Sequence, residues 1–251
     1  MNISGIRRLF VCITVIFLSY AAITCLVYVP LAAAQHNQPS EGQVRPKGWT
    51  APFTSADIGS PALAGSTKII HGEIEASAAG KDVWGVSDQF RFVYQQLIGD
   101  FDIAVRVSSL TAPHLYSRAG LMARESTSPD SRHLFFLVFA DNQPRHNNTS
   151  AYEFQYREET HGTSKAIYPA ADAGAPLFPV AFPNAWLRMR REGSRFTAFA
   201  SNNGKQWKEY GSQSIDMPLT LYVGLAVTSH KADATATATF RDLRRIKSRG
   251  R

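Results

Sequence analysis

The sequence predicts a single all-β domain, a sandwich or jelly roll of two antiparallel sheets, and three observations point to it. Short alternating runs of apolar and polar residues recur from residue 49 onwards, each bounded by Gly, Pro, Asn, Asp or Ser. No stretch keeps a helical period over three turns. The runs number about ten to twelve, which is typical of a sandwich or jelly roll.

Residues 89–95 show the clearest two-faced pattern, because aromatic side chains alternate with polar ones. The aromatic set is Phe90, Phe92 and Tyr94, and the polar set is Gln89, Arg91 and Gln95. Residues 133–140, HLFFLVFA, are apolar on both faces, so they predict a central strand that is covered on both sides. Further strands are predicted at residues 101–107, 118–125, 152–158, 185–191, 195–201, 221–227 and 234–240.

Two turns connect the last part of this pattern. Residues 185–207 predict a meander of three strands, with turns at Glu192-Gly193 and Asn203-Gly204. Asn-Gly supplies the positive φ angles that tight hairpins need.

The N-terminal part predicts export. Residues 1–34 combine a basic start, a long apolar run and an A-x-A cleavage site at Ala32–Ala34, as in a signal peptide. The apolar run is also long enough to span a bilayer, so an uncleaved membrane anchor stays open as the alternative. We therefore expect a secreted or periplasmic protein, or a membrane-anchored one that faces outside. A polar linker follows at residues 35–48, then the sandwich at 49–243 and a basic tail at 244–251.

The positions of the cysteines and of the charged residues limit the classes of protein that fit this sequence. Cys12 and Cys25 both lie in the leader, so the mature domain has no disulfide and depends on its core for stability. The formal net charge is +7, and residues 241–251 account for all of the positive excess that remains without the leader. Such a tail can touch anionic glycans, lipid headgroups or nucleic acid, or can simply be solvated. Because the body of the chain sums to zero, no nucleic-acid partner is predicted.

Several segments together resemble a known family. They are FTSADIG at 53–59, KDVWGVSDQFRFVYQ at 81–95, GDFDIAVRV at 99–107, AGLMARES at 119–126, FQYR at 154–157, WLRMRREGSRFTAFASNNGKQW at 186–207 and YVGLAVTSH at 222–230. In this order they resemble the bacterial regulation-of-enolase-like domains of unknown function, in the concanavalin A-like lectin/glucanase superfamily. The resemblance implies a concanavalin A-like jelly roll, often exported beside carbohydrate-active modules, with no established chemistry. Asn203 stands where the family's hairpin usually has Asp, and it serves the turn equally well.

The stretch YEFQYRE at 152–158 raises the question of glycoside hydrolysis, since it resembles the ExDxE pattern of sandwich hydrolases. On a regular strand, Glu153 and Glu158 point to opposite faces, whereas hydrolysis needs two carboxyl groups that flank one bond. The middle acid is replaced by Gln155, and Arg157 would lower the pKa of a neighbouring acid. The sequence therefore predicts a structural strand and no catalytic residues.

The polar faces of the strands predict a site for sugar hydroxyls or carboxylates. If these polar faces belong to one concave sheet, their amide and guanidinium groups form a surface of hydrogen-bond donors. An aromatic side chain can then stack on a sugar ring. The predicted ligand-binding residues are Trp84, Gln89, Arg91, Arg124, Tyr152, Gln155 and Arg157. In the alternative interpretation the arginines form ordinary cross-strand salt bridges and Trp84 packs under a loop.

No cofactor and no metal site is predicted. The aspartates would suffice for a structural calcium ion, but no DxDxDG-like loop occurs among Asp57, Asp82, Asp88, Asp100 and Asp102. The histidines lack zinc spacing, and no GxSxG elbow is present.

The function predicted from the sequence is an exported, non-catalytic carbohydrate-binding or cell-surface module. Its expected partner is a polysaccharide or a cell-surface glycan, and membrane contact is expected only through an uncleaved N-terminal segment. Two alternatives stay open: a glycoside hydrolase of laminarinase-like architecture, and a structural interaction module with no small ligand.

Overall fold

The computed structural model describes residues 52–148, 151–169 and 178–246. The predicted leader, the linker and the end of the basic tail lie outside these residues. The strands in the described part are β1 (Thr54–Ile58), β2 (Ser66–Ile70), β3 (Glu73–Gly80), β4 (Phe90–Ile98), β5 (Phe101–Thr111), β6 (Arg118–Arg124), β7 (His133–Phe139), β8 (Tyr152–Arg157), β9 (Lys165–Ile167), β10 (Ala185–Glu192), β11 (Arg195–Ser201), β12 (Lys208–Ser214), β13 (Thr220–Thr228) and β14 (Lys231–Arg245).

The strands form two seven-stranded sheets. Sheet I has the order β1-β4-β13-β6-β7-β8-β9, and sheet II has the order β12-β11-β10-β5-β14-β3-β2. Every pairing is antiparallel. The chain crosses repeatedly from one sheet to the other, because most neighbouring strands are not consecutive in sequence. The predicted all-β class with two antiparallel sheets is confirmed.

One face of each sheet is turned towards the other sheet, and the main core lies between them. The alternation of the strands supplies this core: Val93 and Leu97 of β4 face it, as do Leu121 of β6, Phe136 of β7 and Leu187 of β10. Burial of such side chains contributes about 1.5–3 kcal/mol each to folding. We call the opposite face of each sheet its outer face.

The outer face of sheet I carries a second apolar cluster. Phe92 of β4, Met122 of β6 and Phe135 of β7 belong to it, and Val83 covers it from the segment before β4. Strand β7 therefore contributes alternate residues to two different cores. This explains why residues 133–139 are apolar on both faces, and it confirms the predicted central strand.

In the described part of the chain, the outer face of sheet II carries no such cluster, and arginines lie on its aromatic rings instead. Trp186 contacts the guanidinium groups of Arg106 and Arg244, whose Cζ atoms are 5.8 and 4.7 Å from the ring centroid. Arg188 lies over Phe199 at 4.8 Å. Cation–π contacts of this kind cover the aromatic rings without a second layer of apolar side chains.

The predicted meander and its turns are confirmed. Gly193 and Gly204 have φ angles of 60° and 65°, in the left-handed region that favours glycine. In the second turn Asn203 Oδ1 accepts hydrogen bonds from the amides of Lys205 and Gln206, both at 2.9 Å. This turn requires an acceptor oxygen, and the side-chain amide of Asn203 supplies it.

Two features differ from the expectations or add to them. Strand β14 continues to Arg245, so its last two residues belong to the predicted basic tail. Strands β1, β2, β3 and β9 were not separately predicted, and the third strand of the predicted meander, β12, begins only at Lys208. Within the described residues no helix has the length and hydropathy that a membrane crossing needs.

Candidate functional site

Three of the predicted binding residues meet on the outer face of sheet I. Arg124 of β6 lies opposite His133 of β7, and His133 lies opposite Arg157 of β8. Gln155 precedes Arg157 by two residues on the same strand, so its side chain shares this face. Gln155 and Arg157 therefore point to the same face of the sheet, as the alternation of residues 152–158 predicted.

The centre of this face is an ionic cluster around Asp88, which precedes β4. Arg157 donates to both carboxylate oxygens of Asp88, at 2.7 Å from Nη2 and 2.9 Å from Nη1. Arg124 Nη1 donates to Oδ2 at 2.6 Å. All three side chains are fully buried. We call Asp88, Arg124, Arg157 and His133 the Asp88 cluster.

Main-chain carbonyls take up the other guanidinium donors of the Asp88 cluster. Arg124 donates to the carbonyls of Ser126 and Ser128. Arg157 donates to the carbonyls of Gly85, Gly162, Ser131 and Pro129. Neither guanidinium therefore presents a donor to a ligand at the surface. The arginines fasten three loops onto the sheet, namely residues 81–89, 125–132 and 158–164.

Burial and charge set the protonation of the cluster. Burial, together with the neighbouring Arg124 and Arg157, lowers the pKa of His133 to about 3 although Asp88 opposes this shift. His133 is therefore neutral at neutral pH. Burial opposes the ionisation of Asp88, but the two guanidinium groups outweigh it, and the pKa of Asp88 is lowered. The cluster thus holds one carboxylate and two guanidinium groups.

A second ionic group lies on the same face. Arg118 of β6 donates to Asp82 and is 3.6 Å from Glu153 Oε1. Glu153 also accepts a hydrogen bond from Gln155 Nε2 at 2.5 Å and another from Asn148 Nδ2 at 3.3 Å. Burial raises the pKa of Glu153 despite these donors. Glu153 is only 5% exposed, and Gln155 is completely buried.

The two glutamates of the stretch 152–158 lie on opposite sides of sheet I, as predicted. Glu153 is in the outer-face group just described. Glu158 accepts from Lys165 Nζ at 2.6 Å and from Gln213 Nε2 at 3.1 Å, and Gln213 belongs to β12 of the other sheet. The two carboxyl groups therefore do not converge on one bond, which both hydrolytic mechanisms require.

Residues 81–89 form the loop that covers this face, and we call it the capping loop. Arg118 holds Asp82 at its start, and the Asp88 cluster holds its end. Between these anchors, the carbonyl of Trp84 accepts from the amide of Ser164 at 2.9 Å. The tip presents two apolar side chains to solvent, since Trp84 is 36% exposed and Val86 is 53% exposed.

The remaining predicted residues do not join this group. Arg91 is on the core-facing side of β4, where it pairs with Asp57 at 3.2 Å and donates to Thr67 at 3.0 Å. Gln89 donates to the carbonyl of Gly59 at 3.1 Å. Tyr152 is buried between the sheets, stacked on Phe136 at 5.7 Å. The condition that the polar side chains share one face is therefore not met, because Arg91 lies on the core-facing side of sheet I. Tyr152 points away from Gln155 and Arg157, as the alternation of its strand predicts.

Some residues of this face were missed by the sequence reasoning. Tyr94 of β4 and Tyr222 of β13 meet edge to face at 5.4 Å and are both half-buried on the outer face. The parity that Tyr94 shares with Phe90 and Phe92 was the available signal, but it was not connected with a ligand site. Asp88 carried no local signal, because its partners are 36 and 69 residues away.

No metal centre is apparent in this part of the molecule. Among the described residues, no three His, Cys, Asp or Glu side chains are grouped so that they could hold an ion. The aspartates named for calcium serve other contacts: Asp82 and Asp88 bind arginines on the outer face of sheet I, while Asp102 pairs with Arg188 on the outer face of sheet II.

Comparison by sequence identifies no relative. No protein-family model matches the chain, and no curated protein matches it.

Comparison by structure identifies the fold. A functionally unknown protein from Saccharomyces cerevisiae matches with a TM-score of 0.58 at 18% identity, over 79% of this chain and 97% of that one. The GH43 protein BlXynB from Bacillus licheniformis matches with a TM-score of 0.53 at 14% identity, over 73% of this chain and 35% of that one. The carbohydrate binding module CBM66 from Bacillus subtilis gives 0.48 at 16% identity, over 78% and 100%. The predicted sandwich of two antiparallel sheets is thus a fold that this chain shares with proteins of known structure.

Proposed function

We propose that the chain is an exported, non-catalytic carbohydrate-binding module, and that its glycan binds at the tip of the capping loop. The observation that carries this proposal is the exposed indole of Trp84 on a loop that buried ion pairs fasten at both ends. The predicted ligand-binding set is thereby reduced, because the arginines support the loop instead of touching the sugar.

An exposed tryptophan on a fastened loop suits sugar recognition. Sugar rings have an apolar face of C–H groups, which packs on the flat indole ring, while their hydroxyls remain in water. The ion pairs at Asp82 and Asp88 limit the motion of the loop before binding, so little conformational entropy is lost when the sugar arrives. The partial exposure of Tyr94 and Tyr222 on the same face of the sheet adds aromatic surface.

The positions of the acidic residues favour binding over hydrolysis. Glu153 is enclosed by Arg118, Gln155 and Asn148, so a glycosidic oxygen has no access to it. Glu158 lies on the other side of the sheet and is paired with Lys165. A glycoside hydrolase would need two acids that face one substrate.

The other parts of the proposal rest on the sequence. The leader at residues 1–34 supports export, and the ordered motifs support membership of the regulation-of-enolase-like domains. A polysaccharide or a cell-surface glycan is the partner that this combination favours.

The test is a glycan array of the mature domain, followed by titration of each positive glycan against variants. We expect Trp84→Ala to weaken binding by about 2 kcal/mol or more, roughly thirtyfold, which is the scale of a tryptophan hot spot. Val86→Ala, at the same exposed tip, is the matched control and should weaken binding much less. Undiminished binding by Trp84→Ala would refute the proposed site, and hydrolysis of an array glycan would favour the enzyme.

A further inference from the structure

A pocket of about 260 Å³ lies away from the capping loop, where the β11–β12 hairpin approaches the segment before β10. Its lining combines apolar and polar groups: Tyr152, Phe178, Pro179, Ala200, Ser201, Asn202, Asn203, Gln206 and Lys208. The volume is just below the roughly 300–1,000 Å³ of pockets for drug-sized ligands, so it suits one ring-sized group. No carboxylate lines it among the described residues.

The hairpin side of the pocket is fixed by its own hydrogen bonds. Ser201 Oγ accepts from the amides of Asn203 and Gly204, at 3.2 and 3.0 Å. Asn203 Oδ1 in turn accepts from the next two amides, those of Lys205 and Gln206. These bonds set the backbone that carries the amide side chain of Asn202, which has no partner among the described residues.

The opposite wall is fixed as well. The side-chain amide of Asn142 bonds both main-chain groups of Val180: Oδ1 accepts from its amide at 2.7 Å, and Nδ2 donates to its carbonyl at 2.9 Å. Phe178 packs against Tyr210 at 5.0 Å between ring centroids. The pocket is thus built from two segments that are held before any ligand binds.

Lys208 brings a positive charge to this pocket. It pairs with Ala200 in register, and Ala200 faces the core, so the lysine side chain is directed towards the space between the sheets. Its Nζ lies 4.8 Å from the centroid of the Phe178 ring. An aromatic ring positions an ammonium group without neutralising it, in contrast to a carboxylate. In the described residues Lys208 has no salt bridge, whereas Lys68 and Lys165 each have one.

From this geometry we infer a second ligand site that takes one acidic sugar residue, a uronate. Its carboxylate accepts from Lys208 Nζ, its hydroxyls meet the amides of Asn202 and Gln206, and its C–H groups lie against Pro179 and Ala200. A ring-sized pocket with an apolar wall and one unneutralised cation matches this chemistry. The site shares no residue with the capping loop, so this inference does not depend on the proposed function and is tested separately from it.

The experiment uses trimers of galacturonate, glucuronate and mannuronate, each compared with its methyl ester, in calorimetric titrations of the mature domain. Esterification removes the charge and keeps the ring. We expect at least one acid to bind about 10- to 100-fold more tightly than its ester, the scale of a charge-assisted hydrogen bond. Lys208→Gln should abolish that difference.

Two control variants make the result decisive. Lys205→Gln removes the same charge from the same hairpin, but Lys205 does not line the pocket, so the preference for the acid should persist. Trp84→Ala should also leave this preference unchanged. The inference is overturned if no trimer prefers the acid to the ester, or if Lys208→Gln and Lys205→Gln behave alike.

Discussion

The outer faces of the two sheets use the same residue types in opposite ways. On sheet I, Arg124 and Arg157 are completely buried beneath loops and share one carboxylate, Asp88. On sheet II, Arg188 forms a two-bond pair with its own carboxylate, Asp102, and lies across aromatic rings at the surface. Both sets of arginines come from strands of alternating sequence.

The difference between the faces comes from the loops. The capping loop and residues 125–132 and 158–164 lie over sheet I, and their carbonyls satisfy the guanidinium groups there. Among the residues that the structure describes, no comparable cover lies over Arg188, whose side chain keeps 17% exposure. Removing one partner of a buried ion pair is costly, because the remaining charge has neither water nor a counter-ion. Removing one partner of an ion pair near water costs much less, because water hydrates the remaining charge. The two faces therefore should respond very differently to the same substitution.

The largest effect is expected for Arg157→Ala. This change leaves Asp88 buried with one guanidinium fewer and orphans the carbonyls of the covering loops. We expect the free energy of unfolding to fall by about 3–5 kcal/mol in urea titrations. A pair near water gives the scale for comparison: Arg195→Ala breaks an exposed contact with Glu209 and should cost about 1 kcal/mol or less. Equal losses in the two variants would contradict the structural role assigned to Arg157.

The second prediction concerns how the free energy of unfolding depends on pH, a dependence that we expect from the loop-covered outer face of sheet I and not from that of sheet II. His133 has its pKa lowered to about 3 in the folded state, against 6.5 when it is unperturbed. Between these values the unfolded chain binds the proton and the folded chain does not, so stability falls as the pH falls below about 6.5. The contribution approaches about 1.4 kcal/mol per pH unit.

Substitution isolates this contribution from those of other groups. We expect the pH profile of His133→Gln to lose that slope between about pH 4 and 6, relative to the wild type. His71→Gln, at an exposed turn, should keep the wild-type profile. A parallel profile for His133→Gln would show that His133 is not buried in its neutral form.

A smaller effect is expected on the open face. Arg188→Ala removes the pair with Asp102 and the contacts with Phe199 and Trp207. Since the neighbouring groups can then be hydrated, the free energy of unfolding should fall by only about 1–2 kcal/mol. A loss as large as that of Arg157→Ala would mean that cover by loops is not what separates the two faces.

Much of the fold was predictable from the sequence, because alternation fixes which side chains share a face. The parity of residues 152–158 correctly separated Glu153 from Glu158, and the apolar run at residues 133–140 correctly indicated a strand covered on both sides. Strands such as β2 and β9 escaped prediction because they are short and lie at sheet edges, where the pattern is weak.

The site was less predictable, for a physical reason. Parity tells which way Arg124 and Arg157 point, but not whether a loop lies above them. The cover depends on Asp88, whose partners are distant in sequence. Likewise, alternation places Tyr94 on one face with Phe90 and Phe92, but it does not tell that this face carries a second apolar cluster outside the main core. Local pattern carries no information on such long-range contacts.

The central claim is that the capping loop is fastened to the sheet, and amide hydrogen exchange of the wild-type domain tests it most directly. The amides of Asp88 and Gln89 donate to the carbonyls of Pro129 and Asp82, at 2.9 and 2.7 Å. If the ion pairs hold the loop as described, these two amides exchange as slowly as those of the adjoining strand β4, because both open only with the sheet. Exchange of both at the rate of an unstructured peptide would contradict the account.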